Sequence, residues 1–324
     1  MNERIIQAAI VLFGVPAVLV AYIAATEWVV LRLPEKRRPQ VRPWLWIGPA
    51  VLLLSFYLVY PSLNTIYLSL RSAKSENFVG FSNYLYALTN RSMLLAIRNN
   101  LLWLVLFPLF TVSFGLLIAV LADRVPYESA VKALIFLPMA ISSVAAGVIW
   151  KFMYDYRPAG QPQTGTLNAL VTSIPGMQPH AWLLEKSINN AALIFVAIWM
   201  TVGFCMVILS AGLKGISTEI LEAARVDGAT EWQVFWRIML PMMSSTIAVV
   251  ATTMVITALK AFDIVYVMTN GAYDTDVVAL RWYKELFSSR NFGRSSAIAV
   301  LLLLAIIPVM LTNIKRFREQ EAIR

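Results

Sequence analysis

Residues 214–241 read KGISTEILEAARVDGATEWQVFWRIMLP, a charged stretch set between two long apolar runs. A simple link between two helices needs only a few residues, so this length implies structure of its own. Ser217 or Thr218 is suited to cap a first short helix, and Glu219 and Glu222 favour its early turns through the helix dipole. Gly228 suits the left-handed conformation that ends such a helix. Thr230 and Gln233 then have the spacing of a capping box that opens a second helix. There Trp232, Phe235, Trp236 and Met239 fall at i, i+3, i+4 and i+7, an apolar and aromatic stripe suited to a membrane interface. In the first helix the small Ala223 and Ala224 allow another surface to approach closely, while Glu222, Arg225 and Asp227 offer charges for pairing beyond the chain.

Working outward, the apolar runs on either side dominate the chain. Of 324 residues, 59% are hydrophobic and 14% charged, against roughly 25% charged in soluble domains, and the mean hydropathy is +0.69. Lipid is the implied solvent. A helix needs roughly 20 apolar residues to cross the hydrocarbon core. Seven stretches qualify, near residues 5–30, 45–68, 100–122, 130–153, 191–213, 243–268 and 295–314. Lipid offers no partner to backbone N–H and C=O groups, and a barrel would show short alternating strands, so each stretch is predicted to be helical. The expected fold is all-α, with about seven transmembrane helices and no soluble domain between them. One cysteine, Cys205, and one histidine, His180, exclude a disulfide framework, a metal cluster and a Ser-His-Asp site. The net charge of +9 is spread over loops between apolar runs and not gathered into a stripe, which argues for membrane topology and against nucleic acid.

Lys and Arg in short loops set the orientation. Arg32, Lys36, Arg37, Arg38 and Arg42 follow the first stretch and only Arg4 precedes it, so the N-terminus is expected outside. Alternation then puts the 123–129 turn, the 214–242 loop and a C-terminal tail with Lys315, Arg316 and Arg318 in the cytoplasm. Three longer outer segments, near 69–99, 154–190 and 269–294, also carry positive charge, but the rule is weak for long loops. The first stretch is expected to be a retained span and not a cleaved signal peptide, because its charge lies at the wrong end and no small-x-small site follows it.

Within 214–241, Glu222-Ala223-Ala224, three residues, Gly228, nine residues, Ile238, one residue and Leu240-Pro241 resemble the EAA signature of bacterial ABC-importer permeases. The resemblance extends over roughly residues 45–318. It is looser at Tyr60-Pro61, FVGFSNYLYAL, FLPMAISSVAAGVIW and FDIVYVMTNGAY, which look like the carbohydrate branch. It implies a type I ABC importer permease fold: an additional N-terminal helix and basic loop over residues 1–44, then a six-helix permease domain over 45–324. The 214–241 loop would hold the coupling helix that docks in the ATPase subunit, with Glu222, Ala223, Ala224, Arg225, Asp227 and Gly228 transmitting the ATP-driven closure. The implied partners are two copies of an ATP-binding subunit, a second related permease and an extracytoplasmic substrate-binding protein. ATP and Mg would be bound by the ATPase subunits, since this chain has no G-x-x-x-x-G-K-[ST] phosphate loop and no catalytic or cofactor site of its own. The implied place is the bacterial inner membrane and the implied cargo a sugar-type solute. Two departures stand out: the additional span, and Gly271-Ala272-Tyr273 where the branch commonly has Gly-Gly-Pro.

Ionisable residues inside a span are functional candidates by default. Lys260 and Asp263, three apart, have the spacing to pair on one helical face; they either line the solute path or fix an interface or helix contact. By the resemblance, positions lining the sugar cavity of maltose-type permeases fall on Met200, Thr201 and Phe204 in the fifth span and on Ala258 and Ala261 in the sixth. The two alanines offer a sugar no polar side chain. Trp199 either stacks on a sugar ring or serves as packing. Asn99, Asn100 and Glu27 are expected at interfaces, reaching water, without a transport role. A self-contained secondary transporter would show repeats, broken spans or several buried acids, and a membrane enzyme clustered catalytic groups; Lys260 and Asp263 alone do not suffice for either.

Overall fold

The computed structural model describes Gln7 and residues 10–321, with side chains to Thr312. Arg4 lies outside the described residues, and Lys315, Arg316 and Arg318 outside the described side chains. Among the described residues fourteen helical segments follow one another: α1 (Ile10–Arg32), α2 (Glu35–Ser69), α3 (Ser82–Thr89), α4 (Arg91–Ala122), α5 (Glu128–Ala140), α6 (Ser143–Met153) and α7 (Thr166–Thr172). Then come α8 (Asn189–Lys214), α9 (Thr218–Val226), α10 (Glu231–Met242), α11 (Ser244–Leu259), α12 (Asp263–Met268), α13 (Val278–Tyr283) and α14 (Phe292–Glu321). Among the described residues there is no β-strand, only an isolated bridge between Arg71 and Phe78.

Five of these helices are long and apolar enough to cross a membrane alone: α1, α2, α4, α8 and the Phe292–Thr312 part of α14. The other two expected spans are broken. The 130–153 stretch is α5 and α6 joined at 98°, and α10 meets α11 at 70°. Pro138 has no N–H to give, Ile141 is extended, and Ser142 restarts the chain by accepting the Ala145 N–H at 3.1 Å. The 243–268 stretch is not one helix either. It stops at Leu259 and resumes as α12 at Asp263.

The chain divides into two compact units, one ending at Thr65 and one beginning at Ile66. In the first, α1 and α2 are tied by the Arg42–Glu27 ion pair at 2.6 Å and by a hydrogen bond from the Tyr22 hydroxyl to the Leu45 carbonyl. Arg38 caps the open end of α1, donating to the carbonyls of Leu31 and Leu33 at 3.0 Å. Apolar side chains such as Phe56, Leu58 and Leu63 point outward, as lipid-facing residues do.

In the second unit α8 is the central post, with 61% of its apolar window buried. Glycines let its neighbours reach it: a Cβ on Gly115 of α4 would lie 2.7 Å from the Cys205 Cβ, and one on Gly203 would lie 2.5 Å from the Ile135 carbonyl oxygen. Such small-residue contacts pack helices in lipid, where no hydrophobic drive exists between them. Leu193, Val196, Met206, Leu209, Val250 and Val265 complete the core.

Asn99 and Asn100 do not reach water as expected; both are buried. Asn99 donates to the carbonyls of Asp274 at 2.7 Å and Asp276 at 2.8 Å, and Asn100 accepts the Val278 N–H at 2.7 Å. They pin the outer segment whose tight turn places Asn270, Gly271, Tyr273 and Asp274 at positive φ. The Lys284 ammonium closes the turn on the Asn270 carbonyl at 2.9 Å and the Asp276 carboxylate at 3.0 Å. Burial lifts the Asp276 carboxyl above its ordinary range, with Lys284 and Arg281 pulling the other way. A Cβ at residue 271 would sit 2.7 Å from that carboxylate, so glycine is required there.

Gly115→Val should drive α4 off α8 and cost about 1–3 kcal/mol by overpacking; a lower thermal unfolding midpoint of the detergent-purified protein is the expected reading.

Candidate coupling loop and solute cavity

The loop ahead of α10 is built as its spacing predicts at two points and differently at two others. The Thr230–Gln233 capping box forms, with Gln233 N–H donating to the Thr230 hydroxyl at 3.3 Å and the Gln233 side chain accepting the Thr230 N–H at 2.8 Å. Gly228 has φ +86° and ends α9 in a Schellman turn: the Ala229 N–H reaches the Ala224 carbonyl at 3.0 Å and the Gly228 N–H the Arg225 carbonyl at 3.1 Å. Ser217, however, takes the cap position of α9 without a side-chain hydrogen bond, so the helix start is held by the dipole and Glu219 alone. The aromatic stripe also divides. Met239 joins the core beside Val234, while Trp232 and Trp236 stay exposed with ring centroids 5.4 Å apart.

No residue of α9 is buried. Glu222, Ala223, Asp227 and Gly228 are exposed, Ala224 faces the core in part, and the apolar Val226 is 86% exposed. Of its residues only Leu221 and Ala224 pack on the core, both in part, so the opposite face of this amphipathic helix is open to a partner. Arg225 is exposed as well and already has a partner within the chain. Its Nε lies 2.7 Å from Glu231 Oε1, which holds the guanidinium above its ordinary pKa range.

Of the solute-path candidates, Met200, Thr201, Lys260, Ala261 and Asp263 line a single open cavity of about 120 Å³. Trp103, Phe107, Ser143, Ala197, Thr257, Phe262 and Ile264 complete its wall. Trp199, Phe204 and Ala258 are not in that wall. Trp199 packs edge-on against Trp150 at 5.5 Å, Phe204 packs on the core, and Ala258 is buried with its carbonyl toward Asn100. Lys260 and Asp263 share the cavity but not a helical face, because the helix breaks between them, and among the described residues no ion pair joins them. Asp263 instead opens α12, where the helix dipole favours a carboxylate. The indole N–H of Trp103 is buried without a hydrogen-bond partner among the described residues.

Sequence reasoning did not reach Trp103, Phe107, Ser143, Thr257 or Phe262. Thr257, three residues before Lys260, carried the one readable signal; the others come from spans whose facing only tertiary packing decides. The cavity gathers two hydroxyl-bearing threonines, an ammonium, a carboxylate and aromatic faces. That set suits a small polar solute held by a few polar groups between apolar walls.

Residues 111–316 match the family of binding-protein-dependent transport system inner membrane components. The chain belongs to that family. It is therefore a multi-pass inner-membrane transport permease, and the coupling loop and, apart from Trp103 and Phe107, the cavity wall fall within the matched residues. Among its relatives, the osmoprotective compounds uptake permease protein GgtC of Synechocystis is 59% identical over 280 residues, covering 86% of this chain and 100% of the relative. The alpha-glucoside transport system permease protein AglF of Rhizobium meliloti is 48% identical, covering 85% of this chain and 82% of the relative. A crystal structure of a bacterial ABC transporter that imports alginate shares the fold, with a TM-score of 0.74 at 23% identity over 88% of this chain and 98% of that one.

Gly228→Val should strain the turn by about 1–2 kcal/mol, the cost of a left-handed L-residue, with no neighbour within 4 Å to add a clash. Faster tryptic cleavage within 214–230 with an unchanged unfolding midpoint of the bundle is the expected pattern.

Proposed function

We propose that this chain is one of two permease subunits of an ATP-driven, binding-protein-dependent importer of sugar-type solutes, and that it passes the solute by alternating access. What carries the reading is α9: a helix bearing the EAA signature that ends in a Schellman turn, packs on the core only through Leu221 and Ala224 and leaves its other face exposed. Glu222, Ala223, Asp227 and Gly228 form its outward face, to which an ATPase subunit would dock, with Ala224 and Arg225 behind it. ATP and Mg would be held by two such subunits. A second related permease would complete the pathway, and an extracytoplasmic binding protein would deliver the solute to the outer segments. In this orientation the N-terminus is outside and the C-terminus cytoplasmic.

The chemistry of the cavity and the named cargoes of the two relatives support an α-glucoside or glucosyl-polyol. Thr201, Thr257, Lys260 and Asp263 offer both donors and acceptors to hydroxyls, and Phe262 offers a ring face. Differential affinity for the solute in outward and inward states would then shift the population between them. Lys260 also suits a phosphate, which keeps a glycerol-phosphate cargo as the second reading; the neighbouring Asp263 disfavours that dianion. Within the chain, residues 1–44 would be an accessory to the permease domain of 45–324.

The test is co-purification of the tagged chain from its host, with ATPase activity measured against candidate solutes. An ATPase and a second permease should accompany the wild-type chain, a glucoside should stimulate hydrolysis, and Glu222→Ala should weaken ATPase retention. An absent ATPase, with uptake that follows an ion gradient, would sink the reading.

A further inference from the structure

Resting on the importer reading above, we propose that Glu231 is a positioning residue that yokes the coupling helix α9 to the inner end of α4, giving α9 a second route to the solute cavity. Both oxygens of its carboxylate are engaged, each by a different arginine. Oε1 takes Arg225 Nε of α9 at 2.7 Å, and Oε2 takes Arg124 NH2, just past the end of α4, at 2.8 Å. The three charges thus form one network bridging chain segments 107 residues apart.

The placement of Glu231 is fixed by local structure. It is the first residue after the Thr230 cap, and the capping box on either side uses Thr230 and Gln233, leaving the Glu231 carboxylate free to bridge. Its negative charge also sits where the α10 dipole favours it.

The two routes end at different helices in the wall of the same cavity. By chain continuity α9 leads through α10 and α11 to Thr257 and Lys260. By the bridge it leads to α4, a 32-residue helix that carries Trp103 and Phe107 in the cavity wall. A pull on α9 through the chain alone would move the α11 wall; the bridge makes α4 respond with it.

The side chains of Arg124, Glu231 and Arg225 are 52%, 49% and 43% exposed, so water screens their attraction. Such pairs add little static stability. That separates the proposal from a structural role, which would appear as a lowered unfolding midpoint.

The experiment is a double-mutant cycle on the complete transporter reconstituted in proteoliposomes, with Arg124→Gln, Glu231→Gln and both together, reading solute transported per ATP hydrolysed. Each single change should lower that ratio by up to about fivefold, and the double variant should be no worse than either single, as for two members of one interaction. ATPase retention and the unfolding midpoint should stay at wild-type values, and Arg124→Lys, which keeps the charge, should recover most of the loss. A wild-type ratio in both singles overturns the proposal, as do effects that multiply in the double variant or a lowered unfolding midpoint. Absence of ATPase from the wild-type complex overturns the importer reading itself, which distinguishes that failure from failure of the bridge alone.

Discussion

A backbone crossing lipid must satisfy every N–H and C=O within the protein, and the arrangement of this chain follows from the places where that rule is strained. The long helices α4 and α8 satisfy it internally. The two interruptions, at Ile141–Ser142 and at Lys260–Phe262, satisfy it by local bonds: Ile141 N–H to the Pro138 carbonyl at 3.2 Å, the Ser142 cap, and Ala261 N–H to the Ala258 carbonyl at 3.2 Å. Both interruptions open on the same space. Ser143 begins one resumed helix, Asp263 the other, and both residues line the cavity. Irregular backbone at membrane depth is tolerated where it lines a polar cavity, so the cavity and the breaks account for each other. The resumed helices α6 and α12 then pack closely, with a Cβ on Gly147 only 3.1 Å from Val267.

The outer face depends on a complementary device, the buried asparagine. Asn99, Asn100 and Asn189 each bond backbone at least 84 residues away, and Asn168 bonds backbone 12 and 13 residues away on either side of it. Asn168 shows the economy of this, donating to the carbonyls of Asp155 and His180 while accepting from the His180 N–H and the Trp182 indole. An amide is neutral, so burying it costs far less than burying a charge, provided its bonds are made. Long irregular segments that carry no core of their own are thereby fixed in place.

How much of this was legible follows from the range of each interaction. Five unbroken spans, the capping box and the Gly228 turn are written in residues a few positions apart, and these are where the sequence puts them. The breaks at Ser142 and Lys260 were read through, because the second has neither proline nor glycine at 260–262 to announce it. The pairing of Arg225 with Glu231 was missed since each residue is ordinary by itself. Asn99 and Asn100 were assigned to water because polar residues at a span end usually reach it; their loop partners lie more than 150 residues away. The cavity candidates divided for the same reason, Thr201 and Lys260 facing the space while Trp199 and Ala258 turn into packing.

The packing also restricts how such a permease can move. Glycine brings α8 into near-backbone contact with α4 at Gly115, with α5 at Gly203 and with Thr246 of α11 at Gly212. Interiors packed this closely do not deform continuously; they shift as bodies or between discrete packings. Around α8, then, little freedom remains at these contacts. The short helix α12, reached across one interruption, and α6, on which it packs and which is reached across another, adjoin breaks at which backbone angles can change without opening a ladder of helical bonds. Those breaks border the cavity, while α9 lies before α10, tied to it by the Gly228 turn and the Arg225–Glu231 pair. Under the importer reading, the rigid post carries a displacement from α9 and the interrupted helices convert it into a change of access at the solute.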